Sequence, residues 1–167
     1  MQKNNRKLSI TAATVLVVAV IFTIAFWANN LHQSKVQLLV MQNAYTDEIY
    51  LSEPLGEDGI FSISYTHSVN KSMVEEYYQL GEQGLILSKA RYHHFGAGVA
   101  TEVLPEQEFY YDDEGYMVID KINYPLSNLV YKVGTVSDHI LHIGDKTWHL
   151  KDLAPSLTSV RFTIVQD

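Results

Sequence analysis

Residues Phe61 to His67 alternate without a break: Phe61, Ile63, Tyr65 and His67 share one side, and Ser62, Ser64 and Thr66 share the other. A period of two is the signature of a half-buried strand. Val74 to Leu80 repeats it, with Val74, Glu76, Tyr78 and Leu80 on one side. The two runs bury their mainly apolar sides together as an antiparallel hairpin, because a slip of one residue would turn one of them to solvent. With Ser68–Met73 as the loop, His67 pairs with Val74, Tyr65 with Glu76, Ile63 with Tyr78 and Phe61 with Leu80. Gly81 and Gly84 bracket a second turn and supply the backbone angles it needs. Leu80 then faces Leu85, Tyr78 faces Leu87, Glu76 faces Lys89 and Val74 faces Arg91. One face of this three-strand meander is apolar at the Gly81 end. It is polar at the other end, where His67, Glu76, Lys89 and Arg91 gather.

The rest of the chain reads as further short strands. Val36–Val40, Glu48–Leu51, Phe109–Tyr111, Tyr116–Ile122, Leu129–Val133, His139–Ile143, Lys146–Leu150 and the alternating Val160, Phe162 and Ile164 are separated by turn signals. The clearest turns are Pro54–Gly59, Asp112–Gly115 and the two-residue Gly144-Asp145. No helical stripe appears among them. Many short strands at this spacing predict an all-β fold, an antiparallel β-sandwich or barrel-like domain.

One N-terminal segment stands apart. Leu8–Ala28 is 21 residues long, uncharged and rich in Val, Ile, Ala, Leu and Phe, enough for one transmembrane helix. A signal peptide is the competing reading, but the apolar run is long for one and no small-x-small cleavage site is evident near Phe26–Asn29. Lys3, Arg6 and Lys7 precede the segment and favour a cytoplasmic N-terminus. The expected organisation is a cytoplasmic tail at 1–7, an anchor at 8–28, a linker at 29–34 and an extracytoplasmic all-β domain at 35–167, so that the protein sits in the cell membrane as a single-pass chain.

The sequence has no cysteine, which excludes a lipid-modified cysteine and any disulfide; the fold rests on its core alone. All 19 acidic residues follow the anchor but only 9 of the 12 basic ones do, so the external part carries 9 − 19 = −10. Nucleic acid is a poor partner for such a surface.

The polar end of the meander is the predicted site. Its candidate ligand-binding residues are His67, Ser68, Lys71, Ser72, Glu76, Arg91, Gly96 and Gly98. Glu76 with Lys89 and Arg91 is either a cross-strand charge group or leaves Arg91 partly free for an anionic ligand, whose carboxylate its planar fork suits. Gly96 and Gly98 flank Ala97, so that backbone N–H groups there can cradle an anion, although a tight turn would explain the same glycines. His67 beside Glu76 is either a structural hydrogen bond or an acid–base pair. His139 and His142 are three apart and so on opposite faces of a strand, and no metal site or cofactor is expected. Ser68 has no nucleophile elbow and no evident triad partner, so no catalytic residue is assigned.

Several of these pieces together resemble an uncharacterised bacterial family, domain-of-unknown-function family 1850. They are Tyr65-Thr66-His67-Ser68-Val69, Lys71-Ser72, Val74-x-Glu76-x-Tyr78, Phe95-Gly96-Ala97-Gly98, and Val133-Gly134 followed by His139, within about Val36–Val165. This sequence departs from the pattern with His94 before Phe95, and with Met73 where proline is common. The resemblance implies a small anchored or exported protein. Genes of such proteins often adjoin those of tripartite ATP-independent transporters, which implies an accessory role in solute uptake. The expected partners are a transporter subunit or solute receptor and a carboxylate solute. An extracytoplasmic, hydrolase-like enzyme using His67 and Glu76 as acid–base groups is the alternative.

Overall fold

The structure is a computed structural model in which residue 23 and residues 36–69, 71–93 and 102–166 are described. The chain divides into two units, Met1–Lys35 and Val36–Asp167. The anchor at Leu8–Ala28 lies outside the described residues except for Thr23, and so do Gly96 and Gly98. Among the described residues no helix is long and apolar enough to cross a membrane.

The second unit is antiparallel β throughout. Its strands are β1 (Gln37–Asn43), β2 (Ile49–Pro54), β3 (Ile60–Thr66), β4 (Met73–Gly81), β5 (Gly84–Tyr92), β6 (Glu108–Tyr111), β7 (Met117–Asp120), β8 (Tyr124–Pro125), β9 (Leu129–Lys132), β10 (His139–Ile143), β11 (Lys146–His149) and β12 (Ser159–Gln166). They form two sheets. The smaller has the order β2-β1-β12-β9; the larger runs β11-β10-β3-β4-β5-β7-β6, with β8 added to β5. A single helical turn, α1 (Leu150–Leu153), follows β11, so the predicted return strand ends at His149 rather than Leu150.

The alternation that defines β3 also defines the core. Phe61 and Ile63 are buried against Leu39 and Met41 of β1 and Val160 and Phe162 of β12. The Phe61 and Phe162 rings stack across the sheets at 6.0 Å. Each large apolar side chain fully buried there contributes about 1.5–3 kcal/mol. The fold is therefore a sandwich, because two separate sheets share this core. The same face of the larger sheet continues into a second buried group, Val74, Ala90, Tyr92, Met117 and Ile119.

Two details of register differ from the sequence reading. In the β3–β4 hairpin Tyr65 pairs with Val74, Ile63 with Glu76 and Phe61 with Tyr78, a shift of two residues from the expected pairing. A shift of two keeps every side chain on its face, so the alternation cannot detect it. The loop is tighter as a result, and His67 N–H donates to Ser72 O at 2.8 Å.

The second difference is a β-bulge. Leu80 pairs with Leu85 and Tyr78 with Leu87, as expected, but Tyr77 then pairs with Lys89, Glu76 with Ala90 and Glu75 with Arg91. Ser88 is the extra residue, and its two polar groups are used: its hydroxyl donates to Tyr77 O at 3.1 Å, and its carbonyl accepts from Ile122 N–H at 2.9 Å. Beyond a bulge the strand's inside and outside exchange. Ala90 and Tyr92 therefore turn into the core, while Lys89 and Arg91 emerge on the face opposite Glu76.

Candidate functional site

The bulge divides the predicted polar cluster. Glu76 points between the sheets, where its Oε2 accepts from Tyr131 OH at 2.5 Å and from Tyr78 OH at 2.9 Å. The two phenol oxygens are themselves 2.7 Å apart. Burial, and after it the Glu76 charge, hold both phenols far above the usual tyrosine range. His139 packs beside this group, with its ring 5.3 Å from Tyr65 and 5.2 Å from Tyr131. Burial pushes the His139 imidazole below its ordinary pKa, against the opposing pull of Asp138 and Glu76. Its Nδ1 is buried without a hydrogen-bond partner.

Arg91 lies on the outer face, and its fork is occupied. Nε donates to Asp112 at 2.5 Å, one terminal nitrogen donates to Glu114 at 2.8 Å, and the other lies 3.8 Å from Glu75. The Tyr116 ring covers the guanidinium at 3.8 Å. Glu75 in turn accepts from the Ser62 hydroxyl at 2.6 Å. Three carboxylates thus surround this one cation, two of them hydrogen-bonded to it. The expectation that Lys89, Arg91, His67 and Glu76 form one cluster is corrected: the bulge places Lys89 and Arg91 on the face opposite Glu76.

His67, Ser68 and Lys71 do come together. They line a cleft of about 550 Å³ at the end of β3, whose other walls include Thr66, Met73, Ile140 and the Val136–Asp138 loop. That volume is within the small-molecule range of about 300–1,000 Å³. Ser72 and Glu76 are not among its lining residues. Ser72 instead closes the hairpin loop through its carbonyl.

Local chemistry shapes both loops of the cleft. Lys71 N–H donates to His67 O at 2.9 Å, and Lys71 adopts φ +53°, a left-handed conformation that glycine or asparagine fills more cheaply. The Lys71 side chain has no ion-pair partner among the described residues. Val69 N–H donates to His67 Nδ1 at 3.2 Å.

Across the cleft, the loop from Gly134 to Asp138 turns so sharply that a Cβ on Gly134 would lie 2.1 Å from Ser137 O. Ser137 Oγ then donates to Thr66 O at 3.0 Å and ties this loop to the end of β3. Asp138 follows. Its Oδ2 accepts from His149 Nδ1 at 2.7 Å and from Lys151 Nζ at 2.6 Å. Partial burial acts to raise its carboxyl, but the bonds from Lys151 and His149 outweigh this and hold it below the usual carboxylate range.

Sequence reasoning missed the second wall. Nothing in Val136-Ser137-Asp138 marks it as a site; only Gly134, singled out with Val133 and His139 as part of the family pattern, pointed there. A hydroxyl–imidazole contact, Ser64 Oγ to His142 Nε2 at 2.8 Å, was also missed. Ser64 is buried at the cleft floor, so this pair is a satisfied polar contact of the sheet. Among the described residues no three of His, Asp and Glu converge in a metal-holding arrangement.

Neither the curated proteins nor the solved structures include a match to this chain. A family model does match residues 61–150, from β3 to the first residue of α1, a span that contains both cleft walls and the Glu76 group; the chain belongs to the family so defined, described as a domain of unknown function (DUF1850).

Proposed function

We propose that this protein is a membrane-anchored, extracytoplasmic binding module, and that the cleft between the Ser68–Lys71 and Val136–Asp138 loops holds a small carboxylate solute for a tripartite ATP-independent transporter. The observation that carries the binding reading is Lys71. Among the described residues it has no ion-pair partner, and it stands at a cleft of small-molecule size on a backbone position where lysine is strained. Strain of this kind, about 1–2 kcal/mol for a residue with a side chain, persists where the surroundings or the function require it. The accessory role beside a transporter is carried by the family resemblance, and the anchor by the apolar segment Leu8–Ala28.

Binding is favoured over catalysis because the acid–base pair is not assembled. Glu76 is engaged by Tyr78 and Tyr131 on the core side, away from the cleft lining. His67 uses its Nδ1 on the backbone. Neither residue is placed to pass a proton to the other.

The test uses the full chain in detergent, heated with and without a panel of small carboxylates. A ligand that binds only the folded state raises the melting temperature by mass action. The expected result is saturable stabilisation that disappears in Lys71→Gln. A panel without effect would remove the binding reading. Topology is tested separately: protease added to intact spheroplasts should remove residues 36–167, and full protection would reject the anchor.

A further inference from the structure

The charges around the cleft limit what it can hold. We infer that it selects monocarboxylates with an apolar body, over dicarboxylates and over uncharged analogues of the same shape. This rests on the reading of the cleft as a solute site and narrows its ligand.

Lys71 is the one cation among the described lining residues. His67 Nδ1 already accepts from Val69 N–H. On the other wall Asp138 is negative, and the two bases that balance it, Lys151 and His149, are spent on its Oδ2. Arg91, which could have served a second carboxylate, is held by Asp112 and Glu114 on another strand pair. The segment 94–101 contributes no Lys or Arg by sequence.

One carboxylate can therefore be neutralised and a second cannot. A second would find no unengaged Lys or Arg in the described lining, because Lys151 is held by Asp138, and it would enter a domain of strongly negative net charge that disfavours it. The apolar side of the lining is Met73, Ile140 and Val136, beside the hydroxyl residues Ser64, Thr66, Ser68 and Ser137. Val136 is 99 % exposed, and Val69 on the facing loop is 70 % exposed. Each would gain by covering an apolar ligand body. The hydroxyls of Thr66 and Ser68 lie within the same lining and can hydrogen-bond the carboxylate that Lys71 attracts.

The experiment is a matched thermal-shift series on the full chain in detergent. Phenylacetate, benzoate and isovalerate are compared with phenylacetamide, phenylsuccinate and succinate. The expected result is saturable stabilisation by the monocarboxylates, with the amide and the diacids weaker by on the order of tenfold or more, and loss of the effect in Lys71→Gln. Diacids that bind as well as phenylacetate, or better, would overturn the selectivity while leaving the cleft as an anion site. Equal binding of phenylacetamide would overturn the role of charge. Stabilisation that survives Lys71→Gln would place the ligand elsewhere and overturn the assignment. If no compound in the series has an effect, the solute-binding reading itself fails.

Discussion

Tyr131, on the edge strand of the smaller sheet, donates a 2.5 Å hydrogen bond to Glu76 in the middle of the larger one. Tyr78 makes a third corner, so three short contacts share two hydroxyl protons. Either phenol alone can still serve the carboxylate. Tyr131→Phe or Tyr78→Phe should therefore cost about 1.5–3 kcal/mol each, the range for a hydrogen bond to a charged group. The double variant should cost more than the sum, because it leaves Glu76 without a donor. Denaturant unfolding of the four proteins measures this, and simple additivity would mean that the two contacts act independently.

His139, packed against Tyr131, gives an acid-side prediction. Its ordinary pKa is 6.5 and burial lowers it in the folded protein, with Asp138 and Glu76 pulling the other way. Below 6.5 the unfolded chain then takes up a proton more readily than the folded one, so stability falls as pH falls through that window. The contribution of the paired Asp138 is lost lower, beneath the carboxylate range. His139→Phe keeps the ring contacts with Tyr65 and Tyr131 and removes the titration. It should lose less stability than the parent between about pH 7 and about pH 5. Equal losses would show that His139 does not set the acid limb.

The strands were legible because Phe61, Ile63 and Tyr65, and likewise Val160, Phe162 and Ile164, alternate with polar neighbours. What was not legible shares a physical cause. A two-residue register shift leaves the pattern of faces intact, so His67–Val74 and Tyr65–Val74 pairings look alike on paper. The bulge at Ser88 carries no glycine or proline to announce it, and it alone moved Arg91 away from the site. Glu76 and Tyr131 are 55 positions apart and on different sheets, and such pairing is decided by tertiary packing that no local period records. That His67, Ser68 and Lys71 share one cleft could be read locally, because they lie within five residues of one another. The Val136–Asp138 wall could not, because its role comes from a Gly134 turn back against β3.

Arg91 is held in a network of carboxylates, whereas Lys71 lines the cleft. Its guanidinium balances Asp112, Glu114 and Glu75, and partial burial of Glu75 and Asp112 keeps solvent from replacing it fully. Arg91→Gln should lower the melting temperature of the ligand-free protein more than Lys71→Gln does, and should leave the concentration dependence of phenylacetate stabilisation unchanged. A loss of ligand response in Arg91→Gln without loss of stability would restore it to the site.

Lys71→Gly distinguishes a lysine kept for binding from one kept for folding. At φ +53° glycine avoids a steric cost of about 1–2 kcal/mol that any side chain carries. It also widens the unfolded ensemble, which offsets about 0.4–1 kcal/mol of the gain. The net effect on the ligand-free protein should be neutral to stabilising, by up to about 1.6 kcal/mol. Lys71 makes no ion pair among the described residues whose loss would reverse that sign. Ligand-induced stabilisation should vanish in the same variant, because the ammonium is gone. The two effects then have opposite signs in one protein, measured in one melting experiment with and without phenylacetate. A ligand-free protein that is clearly destabilised would mean that Lys71 serves the fold. A variant that still responds to phenylacetate would mean that the cleft does not depend on its only described lining cation.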